Sequence, residues 1–253
     1  MGAMQRLWPD PDPAPLSDDD VIAHYSPTER DGSQGDTPWV RANFVASLDG
    51  AATLNGLSEG LSGAEDKRIF GILRMLCDAL LVGAGTVRNE RYRAVRLSPE
   101  RRAWRVGHGW AEYPTLVVVS GLLDLDPAHP ALADAPVRPA ILTCADSPAA
   151  NRKALAEVAD VLVHGTGTVD LTAGLAELRE RGLLQVLSEG GPHLFGALTA
   201  ADLVDELCLT LAPLLAGPGA GRITAGLALP EDRELVLRQI LMGDGQLFMR
   251  YSR

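Results

Sequence analysis

The feature that most constrains this chain is a series of short, continuously apolar runs separated by amphipathic stretches. Ala79-Leu80-Leu81-Val82-Gly83, Leu116-Val117-Val118-Val119, Ala140-Ile141-Leu142-Thr143, Val161-Leu162-Val163 and Gln185-Val186-Leu187 all have this character. Such runs are strand-length, and they lack the polar alternation of a half-exposed strand. Each is therefore expected as a strand buried on both faces. Trp39 to Ser47 reads as a further strand. Helical stretches lie between, at Gly63 to Asp78, Ala149 to Val158 and Asp170 to Arg181. Ile69, Ile72, Leu73 and Leu76 form one stripe of the first, and Ser62-Gly63-Ala64-Glu65 fits a capping box at its start. Strands alternating with helices imply a largely parallel sheet covered on both faces.

The two ends break this pattern. Leu207, Leu209 and Leu211 alternate, and Glu234–Leu241 and Gln246–Tyr251 flank Gly243-Asp244-Gly245. These predict an antiparallel hairpin finishing the sheet. Residues 1–37 carry Pro9, Pro11, Pro13, Pro15, the run Asp18-Asp19-Asp20 and the turn-rich Asp31-Gly32-Ser33-Gln34-Gly35. They are expected as an extended or loosely packed arm with one short helix, Ser17 to Tyr25, capped by Ser17. Residues 38–253 then form one α/β domain.

Charge and cysteine usage narrow the function. Lys+Arg 23 against Asp+Glu 33 gives a net charge of −10, a poor balance for nucleic acid or an anionic membrane. No apolar run approaches a membrane span, and no basic-then-apolar leader opens the chain. Cys77, Cys144 and Cys208 are far apart, with no C-x-x-C and no metal-ligand spacing, so reduced thiols in a cytoplasmic protein are expected and no metal.

In such sheets ligands bind beyond the carboxyl ends of strands. Three strand ends stand out: Ser47-Leu48-Asp49-Gly50, Gly83-Ala84-Gly85-Thr86-Val87-Arg88 and Ser188-Glu189-Gly190-Gly191-Pro192. Glycines at a strand-to-helix junction let backbone amides approach a diphosphate, although tight turns alone explain such pairs. Neither glycine turn is a Rossmann fingerprint, and Gly-Lys-Ser/Thr is absent. Asp49 before Gly50 reads as a turn residue, Asp66 as a partner of the helix dipole or of a ligand, and Glu189 as a carboxylate pointing into the crevice.

Together, Ala46-Ser47-Leu48-Asp49-Gly50, the Gly83–Arg88 loop, Glu189-Gly190-Gly191-Pro192 and Asp205-Glu206-Leu207 resemble the pyrimidine reductases of riboflavin biosynthesis. That family is the C-terminal reductase domain of the bifunctional deaminase–reductase and shares the dihydrofolate reductase fold. The resemblance spans roughly residues 39–251 and makes 38–253 a reductase domain. It implies a mixed, mostly parallel sheet with helices on both faces and a C-terminal antiparallel hairpin. The deaminase zinc set, His-x-Glu with Pro-Cys-x-x-Cys, is absent, which points to a stand-alone reductase.

What the resemblance implies can be placed residue by residue. Val45 and Ala46 would line a nicotinamide site, and Thr86 and Glu90 would contact NADPH, with the Gly83–Thr86 turn, including Gly83 and Gly85, beneath the cofactor. Ser120 would lie near the adenosine 2′-phosphate, and Gly190, Gly191, Pro192, His193 and Leu194 would hold the diphosphate. Ser58, Arg96 and Glu189 would contact substrate, and Glu189, Asp66 and Asp49 are the groups available to orient it or relay a proton. The family's Asp-Asp-Pro after the Thr-Val pair is replaced here by Asn89-Glu90-Arg91-Tyr92, and Arg96 stands short of the family's phosphate-binding arginine. The implied reaction is NADPH-dependent reduction of 5-amino-6-(5-phosphoribosylamino)uracil by a homodimer. Reduction of a pterin and a non-catalytic nucleotide-binding regulator are the alternatives.

Overall fold

Each apolar run becomes a strand of one ten-stranded sheet in the computed structural model, which describes residues 3–27, 35–90, 92–226, 228–229 and 231–253. The parallel part is built from β2 (Trp39–Ser47), β3 (Ala79–Gly83), β4 (Thr115–Val119), β5 (Ala140–Thr143), β6 (Asp160–Val163), β7 (Gln185–Ser188) and β8 (Glu206–Ala212). Three antiparallel strands, β1 (Gln5–Trp8), β9 (Val236–Gly243) and β10 (Gln246–Ser252), extend it, giving the order β1-β9-β10-β8-β2-β7-β3-β4-β5-β6.

Alternate residues of the central strands enter two separate cores. Leu80, Val82, Val118, Ile141 and Leu187 face α1 (Asp18–Tyr25), α2 (Ala64–Met75), α3 (Ala84–Asn89), α5 (Pro130–Ala133) and α6 (Ala149–Leu155). Leu81, Val117, Leu142 and Val186 face α7 (Leu171–Glu180) and α8 (Pro192–Ala200). A further helix, α4 (Pro99–Gly107), outside the stretches expected to be helical, packs beside α2. Its Arg101 guanidinium lies over Gly71, where a Cβ would come within 1.9 Å.

Among the described residues, the antiparallel part is covered by helices on one side only. Phe248, Leu241 and Cys208 join the core beneath α1 and α2. On the opposite side Leu207, Leu209 and Leu211 pair across the sheet with Tyr251, Met249 and Leu247, and these with Leu237, Ile240 and Met242. All nine are half-buried, with no helix over them in either core. The β9–β10 turn is Asp244-Gly245 with φ of +49° and +78°, the pair of left-handed residues that a two-residue hairpin requires.

Three local expectations are corrected. The described N-terminal residues are not a loosely packed arm. β1 pairs with β9 at the sheet edge, Met4 is buried, and α1 places Val21 and Tyr25 in the core. The edge strand satisfies backbone groups that β9 would otherwise leave open. The Ser17 cap is present as a full box with Asp20, whereas most of the expected turn, residues 31–34, lies outside the described residues. The Ser62–Glu65 box does not form, because Gly63 caps α2, Ser62 bonds Asp66, and Glu65 pairs with Arg68. That helix also ends at Met75 rather than Asp78, whose carboxylate accepts from the amides of Leu184 and Gln185.

Candidate active site

The sheet order brings two of the three strand ends into contact. β7 lies beside β3, so the amide of Glu189 donates to the Leu81 carbonyl (3.0 Å) and that of Gly83 to the Gly190 carbonyl (2.9 Å). Gly190–Gly191 is a cis peptide, and Gly190 has φ of +100°, a conformation that favours glycine. A Cβ on Gly191 would come 2.9 Å from Thr86 Oγ1. Gly191 is the N-cap of the nine-residue α8, no side chain caps that helix, and Pro192 occupies its first turn. Open amides and the positive helix end meet a cradle without side chains, which suits a diphosphate.

Beside this cradle is a cavity of about 500 Å³. It is lined by Val45, Ser58, Asp66, Thr86, Glu90, Glu189, Gly190, Gly191 and Pro192 from the expected set. Lys67, Phe70, Arg74 and Tyr92 also line it and were missed, and Arg93 joins them from the arginine-bearing stretch Arg88, Arg93 and Arg96, whose sequence reads as either a solvated face or a phosphate-binding loop. The polar centre is a three-residue unit. Arg74 donates to both Glu189 oxygens at 2.6 Å, and the Tyr92 hydroxyl donates to Glu189 Oε2 at 2.5 Å while accepting from Arg74 Nη2 at 3.1 Å. Phe70 lies 4.2 Å from the guanidinium carbon. Burial works against the Arg74 charge, but Glu189 outweighs it and keeps the guanidinium above its ordinary value. Burial, and then the Glu189 charge, push the Tyr92 phenol well up, so it keeps its proton and acts as a donor.

Two more carboxylates reach the cavity. Asp66 is 7% exposed and accepts from the Ser62 hydroxyl, the one side-chain donor it has among the described residues. Glu90 accepts from the Ser58 amide (3.2 Å) and hydroxyl (3.3 Å), so the expected substrate and cofactor contacts are bonded to each other. Of the cavity cations, Lys67 has among the described residues only a distant, exposed ion-pair partner in Glu59 (3.9 Å). Arg93 has no ion pair among the described residues.

The remaining expected residues lie outside the cavity wall. Ala46 and Leu194 are buried, Gly83 abuts the Gly190–Gly191 turn, and Gly85 has open space where a side chain would start. His193 is exposed on the first turn of α8. Ser120 accepts from the Leu123 amide (2.9 Å) in the turn after β4. Arg96 is exposed and donates to the Asp134 carbonyl (3.0 Å), so Arg93 takes the place by the cavity that Arg96 was expected to fill.

Asp49 has a different role from Glu189. It accepts from Ser47 and from the amides of Ala216 (3.1 Å) and Gly217 (2.8 Å), tying the end of β2 to the segment after β8. The Ser47 hydrogen bond, then those amides, hold its carboxyl down at about 2, too low to relay a proton near neutrality. Asp205 and Glu206 are likewise structural. Asp205 accepts from the Val40 amide and Arg253, and Glu206 is buried against Arg41 (2.5 Å) and Arg250 (3.5 Å).

Comparison with known proteins agrees with this geometry. The chain is 34% identical over 182 residues to the 2,5-diamino-6-ribosylamino-4(3H)-pyrimidinone 5′-phosphate reductase of Methanothermobacter thermautotrophicus, covering 71% of this chain and 80% of that protein. Identity to the enzyme of the same name from Archaeoglobus fulgidus is 32% over 181 residues, covering 71% and 82%. A pyrimidine reductase-like protein of Corynebacterium diphtheriae superposes with a TM-score of 0.83 at 27% identity, over 94% of this chain and 98% of that one. The family description of the RibD C-terminal domain matches residues 38–244, which takes in both glycine turns, the cavity and the strands that carry them. The chain belongs to the RibD C-terminal domain family.

Proposed function

We propose that this chain is an NADPH-dependent reductase of a pyrimidine carrying a ribosylamino 5′-phosphate. The observation that carries the reading is the placement of a side-chain-free, helix-capped cradle on the same cavity as Glu189 and Asp66. The reduced nicotinamide supplies the hydride when bound. Gly190, Gly191 and the first amides of α8 hold the diphosphate, with Thr86 behind them, and Val45 lines the cavity on the nicotinamide side. The protein's part is to orient the two reactants and exclude water. Lys67 and Arg93 are the cations left for the substrate phosphate.

The ring is either the uracil named above or its 2-amino counterpart, the pyrimidinone in the names of the two archaeal relatives. Asp66 favours the 2-amino ring. A carboxylate with a single side-chain donor can accept from both an amino group and the neighbouring ring N–H, whereas uracil offers a carbonyl in place of the amino group. A pterin offers the same donor pair, which keeps it as the second reading. A homodimer fits the open apolar side of β8, β9 and β10, since a second copy would remove nine half-buried side chains from water. Cytoplasmic activity accords with three buried, unpaired cysteines. No helix among the described residues is long and apolar enough to cross a membrane.

Following NADPH oxidation with the uracil, the 2-aminopyrimidinone and dihydrofolate tests the reading. Turnover of either pyrimidine phosphate supports it, and turnover of the pterin alone replaces it with the second reading. Cofactor binding without turnover of any of the three leaves a regulator.

A further inference from the structure

We infer that Arg105, which lies outside the cavity wall, is a positioning residue for it, setting the last turn of α2 where Arg74 meets Glu189 and Tyr92. The inference rests on the reading of the cavity as the pyrimidine site and extends the machinery of that site to α4. Arg105 has no exposed surface, a rare place for a guanidinium. Its Nη1 donates to the Met75 carbonyl (2.7 Å) and the Cys77 carbonyl (2.6 Å), and its Nε to the Ala111 carbonyl (2.6 Å). The Trp110 ring lies 5.2 Å from the guanidinium carbon. Carbonyls at a helix C-terminus have no partner within the helix and carry its negative end. Arg105 thus satisfies the end of α2 and the turn into β3 with one cation, and ties both to the segment after α4.

This contact bears on the cavity through its neighbours in the chain. Arg74 precedes Met75 in the last turn of α2, and its own carbonyl accepts from Cys77 Sγ (3.5 Å). The Arg74 side chain therefore moves with the two carbonyls that Arg105 grips. The start of α4 constrains Tyr92 as well. A short stretch joins Tyr92 to Ser98, the N-cap of α4, and Val95 and Leu97 within it are buried. Docking α4 on the end of α2 so brings both side-chain partners of Glu189 to one place. Glu189 itself is held from the sheet, by its amide on the Leu81 carbonyl (3.0 Å), and Gly190 by its carbonyl on the Gly83 amide (2.9 Å). Loss of Arg105 should then displace Arg74 and Tyr92 and leave the Gly190–Gly191 cradle in place.

The test measures two affinities by calorimetry, that of NADPH for the free protein and that of the aminopyrimidine ribosylamino 5′-phosphate for the NADP-loaded protein. Each variant is studied at a temperature where melting shows it folded. Arg105→Lys keeps a cation but loses the planar fork that spans the three carbonyls. It should weaken the pyrimidine about 10- to 100-fold, the cost of a contact displaced by about 1 Å, and leave NADPH within about twofold. Arg101→Ala loosens α4 over Gly71 without touching those carbonyls, and should lower the melting temperature with both affinities kept. Arg105→Gln, an uncharged donor that leaves no buried charge, carries the test should Arg105→Lys not fold. Unchanged pyrimidine affinity in a folded Arg105 variant would overturn the inference by making the residue a support of the fold alone. An equal loss for both ligands, or the same selective loss in Arg101→Ala, would overturn it too. Failure of the wild-type chain to bind the pyrimidine would instead overturn the reading of the cavity, and the inference with it.

Discussion

Two strand ends of this molecule look alike in sequence and differ in the structure. Ser47-Leu48-Asp49-Gly50 and Ser188-Glu189-Gly190-Gly191 each set a carboxylate beside glycine after an apolar strand. At the first, β2 is flanked by β8, and the chain leaving β8 returns across its end. Asp49 is consumed by the Ala216 and Gly217 amides. At the second, β7 is flanked by β3, whose own glycine turn leaves a recess, and Glu189 is met by side chains from α2 and from the loop after α3. The neighbouring strand decides whether a strand-end carboxylate fastens a loop or builds a ligand site.

The comparison can be broken most sharply at Glu189. Glu189→Gln removes the charge opposite a mostly buried arginine and presents an amide where Arg74 needs an acceptor. Folding stability should fall by roughly 2–4 kcal/mol, as for a broken buried ion pair. The kcat/KM for the pyrimidine phosphate, corrected for the folded fraction, should fall by about 100-fold or more. Normal turnover by a folded variant would place Glu189 in the same structural class as Asp49.

Gly191→Val tests the cradle next to it. The backbone there has an ordinary negative φ, so the fold should survive, but the added carbon would press on Thr86 Oγ1 at 2.9 Å and crowd the α8 amides. The Kd for NADPH should rise by about two orders of magnitude, because more than one amide is obstructed. Asp66→Asn should be milder and selective. The 2-aminopyrimidinone should lose about tenfold in kcat/KM, one charge-assisted hydrogen bond, and uracil less. Equal losses for the two rings would remove the argument for an amino group at Asp66.

The smallest effect belongs to Asp49. Its carboxyl is held at about 2 against an ordinary 3.8, so the tie is complete above 3.8 and is lost as the pH falls through 2. Asp49→Asn should therefore lower the melting temperature slightly at neutral pH, and the difference from wild type should shrink toward pH 2. Turnover should stay close to wild type. A large loss of turnover without a change in melting would move Asp49 into the site.

The series of buried strands and the two glycine turns were legible because each is written locally, in runs of apolar residues and in adjacent glycines. The partners of Glu189 were not. Arg74 lies 115 positions away along the chain and Tyr92 lies 97. The helix stripe that located Ile72, Leu73 and Leu76 shows which side of α2 is buried but not what an arginine on it will meet. Periodicity likewise missed β1, because four residues among prolines carry no usable pattern, and the strand exists through its pairing with β9. It also read Ser62 as a cap, since a hydroxyl before a helix satisfies either the backbone or a nearby carboxylate, and only the fold chooses Asp66.

The most direct measurement is a crystal structure of the chain with NADP and the aminopyrimidine ribosylamino 5′-phosphate. The account predicts the cofactor diphosphate against Gly190, Gly191 and the first turn of α8, and the pyrimidine in the cavity beside Arg74 and Asp66, with the Asp49 loop free of ligand. A cofactor or pyrimidine bound elsewhere, above all at the Ser47–Gly50 end, would contradict it.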